Sequence, residues 1–78
     1  MRIDIITPDS ALYSGEGKAV TVPGIDGSLG ILENHAPLIT ALKKGQVKVT
    51  TSEGVEKFFE INGGVAEVLK NKVIILAE

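Results

Sequence analysis

The sequence predicts an all-β domain, a sandwich or flattened barrel with mainly antiparallel strands. Three observations carry this. Short apolar segments alternate at period two, as strands with one buried face do. Turn-forming residues interrupt them at frequent intervals. No stretch sustains a helical period with caps. The best helical candidate, residues 35–44, contains Pro37 and Thr40, is followed by Gly45, and has room for one or two turns at most.

The first strand spans residues 2–7, with Ile3 and Ile5 on one face. Pro8-Asp9-Ser10 stops it, because proline lacks a ladder donor and Asp and Ser favour turns. Residues 11–14 form a short second segment. Residues 17–23 form the next, with Val20 and Val22 alternating against Ala19 and Thr21. Gly24-Ile25-Asp26-Gly27 is a turn, since Asp-Gly tolerates the positive φ of a tight hairpin loop. A strand follows at 28–32, then a loop at 33–37, a strand at 38–42 and a turn at Lys43-Lys44-Gly45. Residues 46–51 alternate with Val47 and Val49 inward, and Ser52-Glu53-Gly54 makes a hairpin. In residues 55–61, Val55, Lys57, Phe59 and Ile61 share one face, and Glu56, Phe58 and Glu60 the other. Residues 65–69 and 72–77 form a last hairpin around Lys70-Asn71. Asn62-Gly63-Gly64 reads either as a type I′ hairpin turn or as a bulge or bend in one long strand.

With 78 residues the chain is one domain over 1–78. At this size folding buries roughly 60% of the unfolded surface, so the core is adequate but thin. Only Tyr13, Phe58 and Phe59 are aromatic, so Ile, Val and Leu must fill it. The absence of Cys excludes a disulfide framework and a thiolate zinc site, and fits a reducing compartment. The start Met-Arg-Ile-Asp-Ile-Ile lacks the apolar core of a signal peptide. No run approaches the roughly 20 apolar residues of a membrane-spanning helix. Mixed charges with a net of −2 and no basic cluster disfavour nucleic-acid binding and a polybasic membrane anchor.

No catalytic or cofactor constellation is present, and no cofactor is expected. His35 is the only histidine and has no His or Cys partner for a metal; the acids are scattered without EF-hand spacing. The expected role of His35 is structural or interfacial, its imidazole bonding a backbone carbonyl and holding the loop. Ser28 lies in a turn and not in a Gly-x-Ser-x-Gly elbow. Glu56 and Glu60 read as a solvated strand face. Gly24, Gly27 and Gly30 are spaced by three, but no helix follows as a phosphate loop requires. They read as turn and close-approach glycines, so Gly30→Val is expected to destabilise the domain.

Several stretches together resemble the epsilon subunit of the F-type ATP synthase. Asp4-Ile5-Ile6 is similar to that family's opening strand, and Leu12-Tyr13-Ser14-Gly15 to the step after it. Residues 27–38, Gly-Ser-Leu-Gly-Ile-Leu-Glu-Asn-His-Ala-Pro-Leu, resemble its signature loop. Gly45, the run Asn62-Gly63-Gly64-Val65-Ala66-Glu67-Val68, and Asn71-Lys72-Val73 with Leu76-Ala77 complete the match in order and spacing along the whole chain.

The resemblance implies a flattened β-sandwich of about ten strands, the N-terminal domain of that subunit. It implies a non-catalytic rotor part at the foot of the central stalk, between the gamma subunit and the c-subunit ring. Such a part couples proton or sodium translocation to ATP synthesis in the rest of the complex. It touches the membrane only indirectly, at the cytoplasmic face of the bacterial inner membrane. Carried over by position, Thr7, His35 and Thr40 are expected to face gamma. Asp26, Gly27, Ser28 and Leu29 are expected to face the ring. Gly30, Pro37, Gly63 and Gly64 are expected to shape turns. The family often carries an acid at the position of Ser28; here the nearby charge is Asp26. Many members continue as an inhibitory helical hairpin from about the position of Glu78, so a short form without hairpin inhibition is expected. The alternative is a stand-alone β-sandwich module binding a peptide or carbohydrate. A rotor part should carry an exposed apolar patch that its partner covers, and a binding module a concave pocket.

Overall fold

The computed structural model describes residues 1–78 and contains eight strands and no helix. They are β1 (Arg2–Ile6), β2 (Ala11–Gly24), β3 (Gly27–Leu32), β4 (Leu38–Leu42), β5 (Gly45–Thr51), β6 (Glu56–Ile61), β7 (Gly64–Leu69) and β8 (Lys72–Ala77). The hydrogen-bonded order is β1-β8-β7-β4-β2-β5-β6, with β3 added to β2 and β1 also paired with β2. β1 and β8 run parallel; every other pair is antiparallel.

β2 belongs to both layers. Its first half pairs with β1, and its second half pairs with β3 on one side and β5 on the other. The sequence suggests two segments here, 11–14 and 17–23, broken at Gly15-Glu16. The chain instead bends and continues. The register with β5 shifts between Gly17 and Ala19, and a Cβ at Gly17 would lie 2.6 Å from Ile3 Cδ1. This merger turns the nine segments read from the sequence into eight strands.

Each layer turns alternate residues inward, as a period-two strand must. Ile3, Ile5, Ala66, Val68, Val73 and Ile75 meet Val20, Val22, Ile31, Val47, Val49 and Ile61 in one cluster of 15 buried residues. Burying each of the Val and Ile side chains among them contributes about 1.5–3 kcal/mol. Of the two adjacent aromatics, Phe59 packs against the core with Tyr13, and Phe58 is exposed.

Asn62-Gly63-Gly64 is not a hairpin turn. β6 pairs with β5, whereas β7 pairs with β4 and β8, so this junction carries the chain from one layer to the other. Gly63 and Gly64 adopt φ of 138° and 140°, and a Cβ on Gly64 would run into the Leu76 carbonyl. Pro37 ends the 33–37 loop directly before β4.

Candidate functional site

β3 and β4 are consecutive and border an open seam. β3 pairs only with β2. β4 pairs with β7 along its length and touches β2 only through Leu42 and Gly24. The β2–β3 turn closes one end of this seam and the 33–37 loop the other, so most of the residues singled out in the sequence surround it.

At the turn end, Gly24 pairs with Gly27 across the two-residue loop Ile25-Asp26. Ile25 N–H donates to the Ala41 carbonyl (3.1 Å) and Lys43 N–H to the Pro23 carbonyl (2.9 Å), which fastens the turn to β4. Asp26, Gly27 and Ser28 are exposed; Leu29 is half-buried and rests on the core. A hollow of about 300 Å³ opens here, lined by Asp26, Gly27, Ser28 and Leu29 together with Gly24 and Thr40. Thr40, expected to face gamma, thus lies with the expected ring-facing group.

At the loop end, three bonds hold residues 33–37 against the rest of the domain, from Glu33, Asn34 and the His35 N–H, and a fourth closes the loop on itself. The buried Met1 ammonium donates to Glu33 Oε1 at 2.8 Å and to the Gly17 carbonyl at 3.0 Å, with Glu16 at 3.5 Å. Asn34 N–H, on a residue at φ 62°, donates to Asn71 Oδ1 (2.8 Å). His35 N–H donates to the Leu32 carbonyl (3.2 Å), and its Nδ1–H to the Ala36 carbonyl (2.7 Å). The hydrogen bond from the ammonium holds Glu33 below the usual carboxylate range. The same bond raises the ammonium above the usual α-amino value, although desolvation pulls it the other way.

Thr7 lies away from the seam. Its N–H and hydroxyl both bond the Ser10 carbonyl (2.8 and 3.0 Å), and the hydroxyl accepts Ser10 N–H (3.1 Å), which shapes the β1–β2 turn. Thr7, Ile6, Val65, Leu76 and Glu78 line a second hollow of about 440 Å³. The structure therefore does not gather Thr7, His35 and Thr40 into one cluster.

Gly30 does not shape a turn. It sits inside β3 opposite Thr21, without positive φ, and a Cβ there would meet nothing within 4 Å. It is neither a turn residue nor a close-approach residue within the domain, because its missing side chain points from the outer sheet face into open space.

The sequence reading also missed an apolar row. Ile6 on β1 pairs with Leu76 on β8, Leu76 with Val65 on β7, and Val65 with Ala41 on β4. All four side chains point outward on neighbouring strands. Leu76 is 54% exposed, and Ile39, one outward step along β4 from Ala41, is 72% exposed. The signal was present in Val73-Ile74-Ile75-Leu76-Ala77, a run with no polar residue. A strand with one wet face alternates, and an unbroken apolar run marks a strand covered on both faces. On the same face, Asp4 accepts from Ser14 (2.7 Å) and Arg2 (3.2 Å), bonds that hold its carboxyl below the usual range.

Known proteins agree with this architecture. The chain is 41% identical over 78 residues to the ATP synthase epsilon chain of Alkalilimnicola ehrlichii, covering all of this chain and 56% of that one. It is 46% identical over 77 residues to the epsilon chain of Chlorobium limicola, covering 99% of this chain and 88% of that one. It thus spans about half the length of the first relative and most of the second. The fold matches a chain in the Euglena gracilis mitochondrial ATP synthase OSCP/F1/c-ring structure with a TM-score of 0.90 at 23% identity, over 96% of this chain and 48% of that one. It also matches a chain in the Tetrahymena thermophila mitochondrial ATP synthase central stalk/c-ring structure with a TM-score of 0.82 at 22% identity, over 99% and 62%. The family model for the beta-sandwich domain of the ATP synthase delta/epsilon chain matches residues 1–78 from end to end, and this chain belongs to that family.

Proposed function

We propose that this chain acts as a non-catalytic rotor subunit in the central stalk of an F-type ATP synthase. It joins the gamma subunit to the c-subunit ring and couples ion translocation to ATP synthesis. The observation that supports this most directly is the apolar row Ile6–Leu76–Val65–Ala41. It is an exposed apolar surface on the outside of the two-layer body, suited to a large packing partner. Both hollows are open and lie at strand ends, unlike the enclosed pocket of a small-ligand module.

In this reading gamma covers the apolar row with Thr7 at its end and reaches round β4 towards Thr40 and His35. The Asp26–Leu29 turn meets the ring loops. The neighbouring Lys43-Lys44 turn sits at the same end, fastened through Pro23 and Ala41, so the ring-facing end carries two ammonium groups beside the Asp26 carboxylate. The chain is peripheral, riding at the cytoplasmic face of a bacterial inner membrane through the ring alone. The test is reconstitution. Adding the chain to membrane vesicles carrying its own ATP synthase depleted of the epsilon subunit should restore ATP-driven ion pumping. A folded chain that neither associates nor restores pumping contradicts the reading.

A further inference from the structure

The free edge of β3 is unprotected, and its direction can be read from the hairpin. In a two-residue hairpin loop the flanking pair exchanges both hydrogen bonds, and bonded and non-bonded pairs then alternate along the ladder. Gly24 and Gly27 are that flanking pair, so Val22 with Leu29 and Val20 with Ile31 are bonded pairs. Ser28, Gly30 and Leu32 therefore turn their N–H and C=O groups away from β2, into the seam. The His35 N–H on the Leu32 carbonyl (3.2 Å) agrees with this direction. Across the seam, the Ala41 carbonyl accepts Ile25 N–H, so Ile39, two residues along β4, points its main chain the same way.

Proteins blunt such edges with charges, proline or bulges. The opposite edge of the same layer follows this rule: β6 carries Glu56, Lys57 and Glu60, and Glu56 pairs with Lys48 at 3.6 Å. β3 reads Gly-Ser-Leu-Gly-Ile-Leu, with no charge, no proline and no register shift. Its central Gly30 weakens the strand and serves nothing inside the domain. A strand-interior glycine accompanies a bulge, a bend or a close approach, and β3 shows no register shift.

We propose that the β3 edge is a strand-addition site, and that its occupant is an extended, uncharged segment of the gamma subunit's main chain. This rests on the stalk reading above. A single extended segment fits because β4 stands across the seam; a second copy of this chain would bring its whole sheet behind its own β3. The edge also rises from the ring-facing turn towards the His35 loop, away from the polar ring loops. Ser28 and Gly30, with the N–H of Leu32 whose carbonyl His35 already occupies, give the added strand its main-chain bonds, and exposed Leu32 gives it an apolar contact.

Amide hydrogen exchange, followed by NMR on the ¹⁵N-labelled chain with and without unlabelled gamma, tests this. In the free chain the amides of Ser28, Gly30 and Leu32 should exchange quickly and those of Leu29 and Ile31 slowly. In the complex the three edge amides should slow by about tenfold or more. Gly30→Pro removes one outward N–H without touching the β2 ladder, so the variant should fold and bind gamma about tenfold more weakly. If that variant misfolds, the exchange data on the unaltered chain decide alone. A complex in which the edge amides stay fast overturns the proposal and leaves the stalk reading intact. Protection that grows with the concentration of the free chain, showing pairing between copies, also overturns it. No complex at all contradicts the stalk reading itself.

Discussion

A Cβ at Gly64 would enter the Leu76 carbonyl on a backbone at φ 140°, so Gly64→Ala should destabilise the chain by about 3 kcal/mol in a urea melt. Gly30 has no such constraint. Gly30→Val places a β-branched side chain in open space on a strand, and should leave the stability of the free chain unchanged or raise it by up to about 1 kcal/mol. This reverses the expectation drawn from glycine spacing alone. Spacing shows where glycines fall and cannot show which of them face another atom. His35 illustrates the opposite case. The bond from its Nδ1–H to the Ala36 carbonyl is the loop-holding contact the sequence suggests. That bond is exposed, and Glu33 and Asn34 anchor the loop independently. His35→Ala should therefore cost under about 1 kcal/mol of stability. It should weaken gamma binding measured by calorimetry; unchanged affinity would remove His35 from the interface.

The 33–37 loop behaves as an element because the N-terminus and the β7–β8 turn both hold it, Met1 through Glu33 and Asn71 through Asn34. Its charge pair makes stability depend on pH in a signed way. The Met1 ammonium is raised above its ordinary value, so its contribution is complete below that value and is lost as pH rises through the raised one. Glu33 is lowered, so its contribution is complete above the ordinary carboxylate value and is lost as pH falls through the lowered one. Asp4, lowered by Ser14 and Arg2, adds to the acid side. Stability from these groups should be flat between roughly pH 5 and pH 8 and fall on both sides. In Glu33→Gln the alkaline fall should shrink to the part Glu16 supplies, and the acid fall should shrink to the part Asp4 supplies. Urea melts across pH check this; identical profiles would show that the pair contributes nothing. None of this clasp is legible in the sequence, because it joins residues 32 positions apart. The strands themselves are legible, since Ile3 with Ile5 and Val47 with Val49 alternate without exception and are all fully buried. The strand pair that the sequence divides, 11–14 and 17–23, fails because a glycine bend and a strand end look the same locally.

For the molecule as a whole, the fold class follows from alternation and turn chemistry, and the layer assignment follows from neither. Order along the chain does not tell that β1 lies parallel to β8, or that β3 and β4 leave a seam between them. The apolar row arises only from that order, since Ile6, Leu76, Val65 and Ala41 come from four strands. The stalk role stands or falls on whether gamma covers this row. Leu76 points outward, so Leu76→Asp should fold as the unaltered chain does while placing a carboxylate in the middle of the interface. Calorimetric titration of gamma into both chains at several temperatures is the direct measurement. The expected result is a one-to-one complex with a negative heat-capacity change for the unaltered chain, and binding at least about thirtyfold weaker for Leu76→Asp. A folded chain that gives no complex, or a Leu76→Asp chain that binds as tightly as the unaltered one, would contradict it.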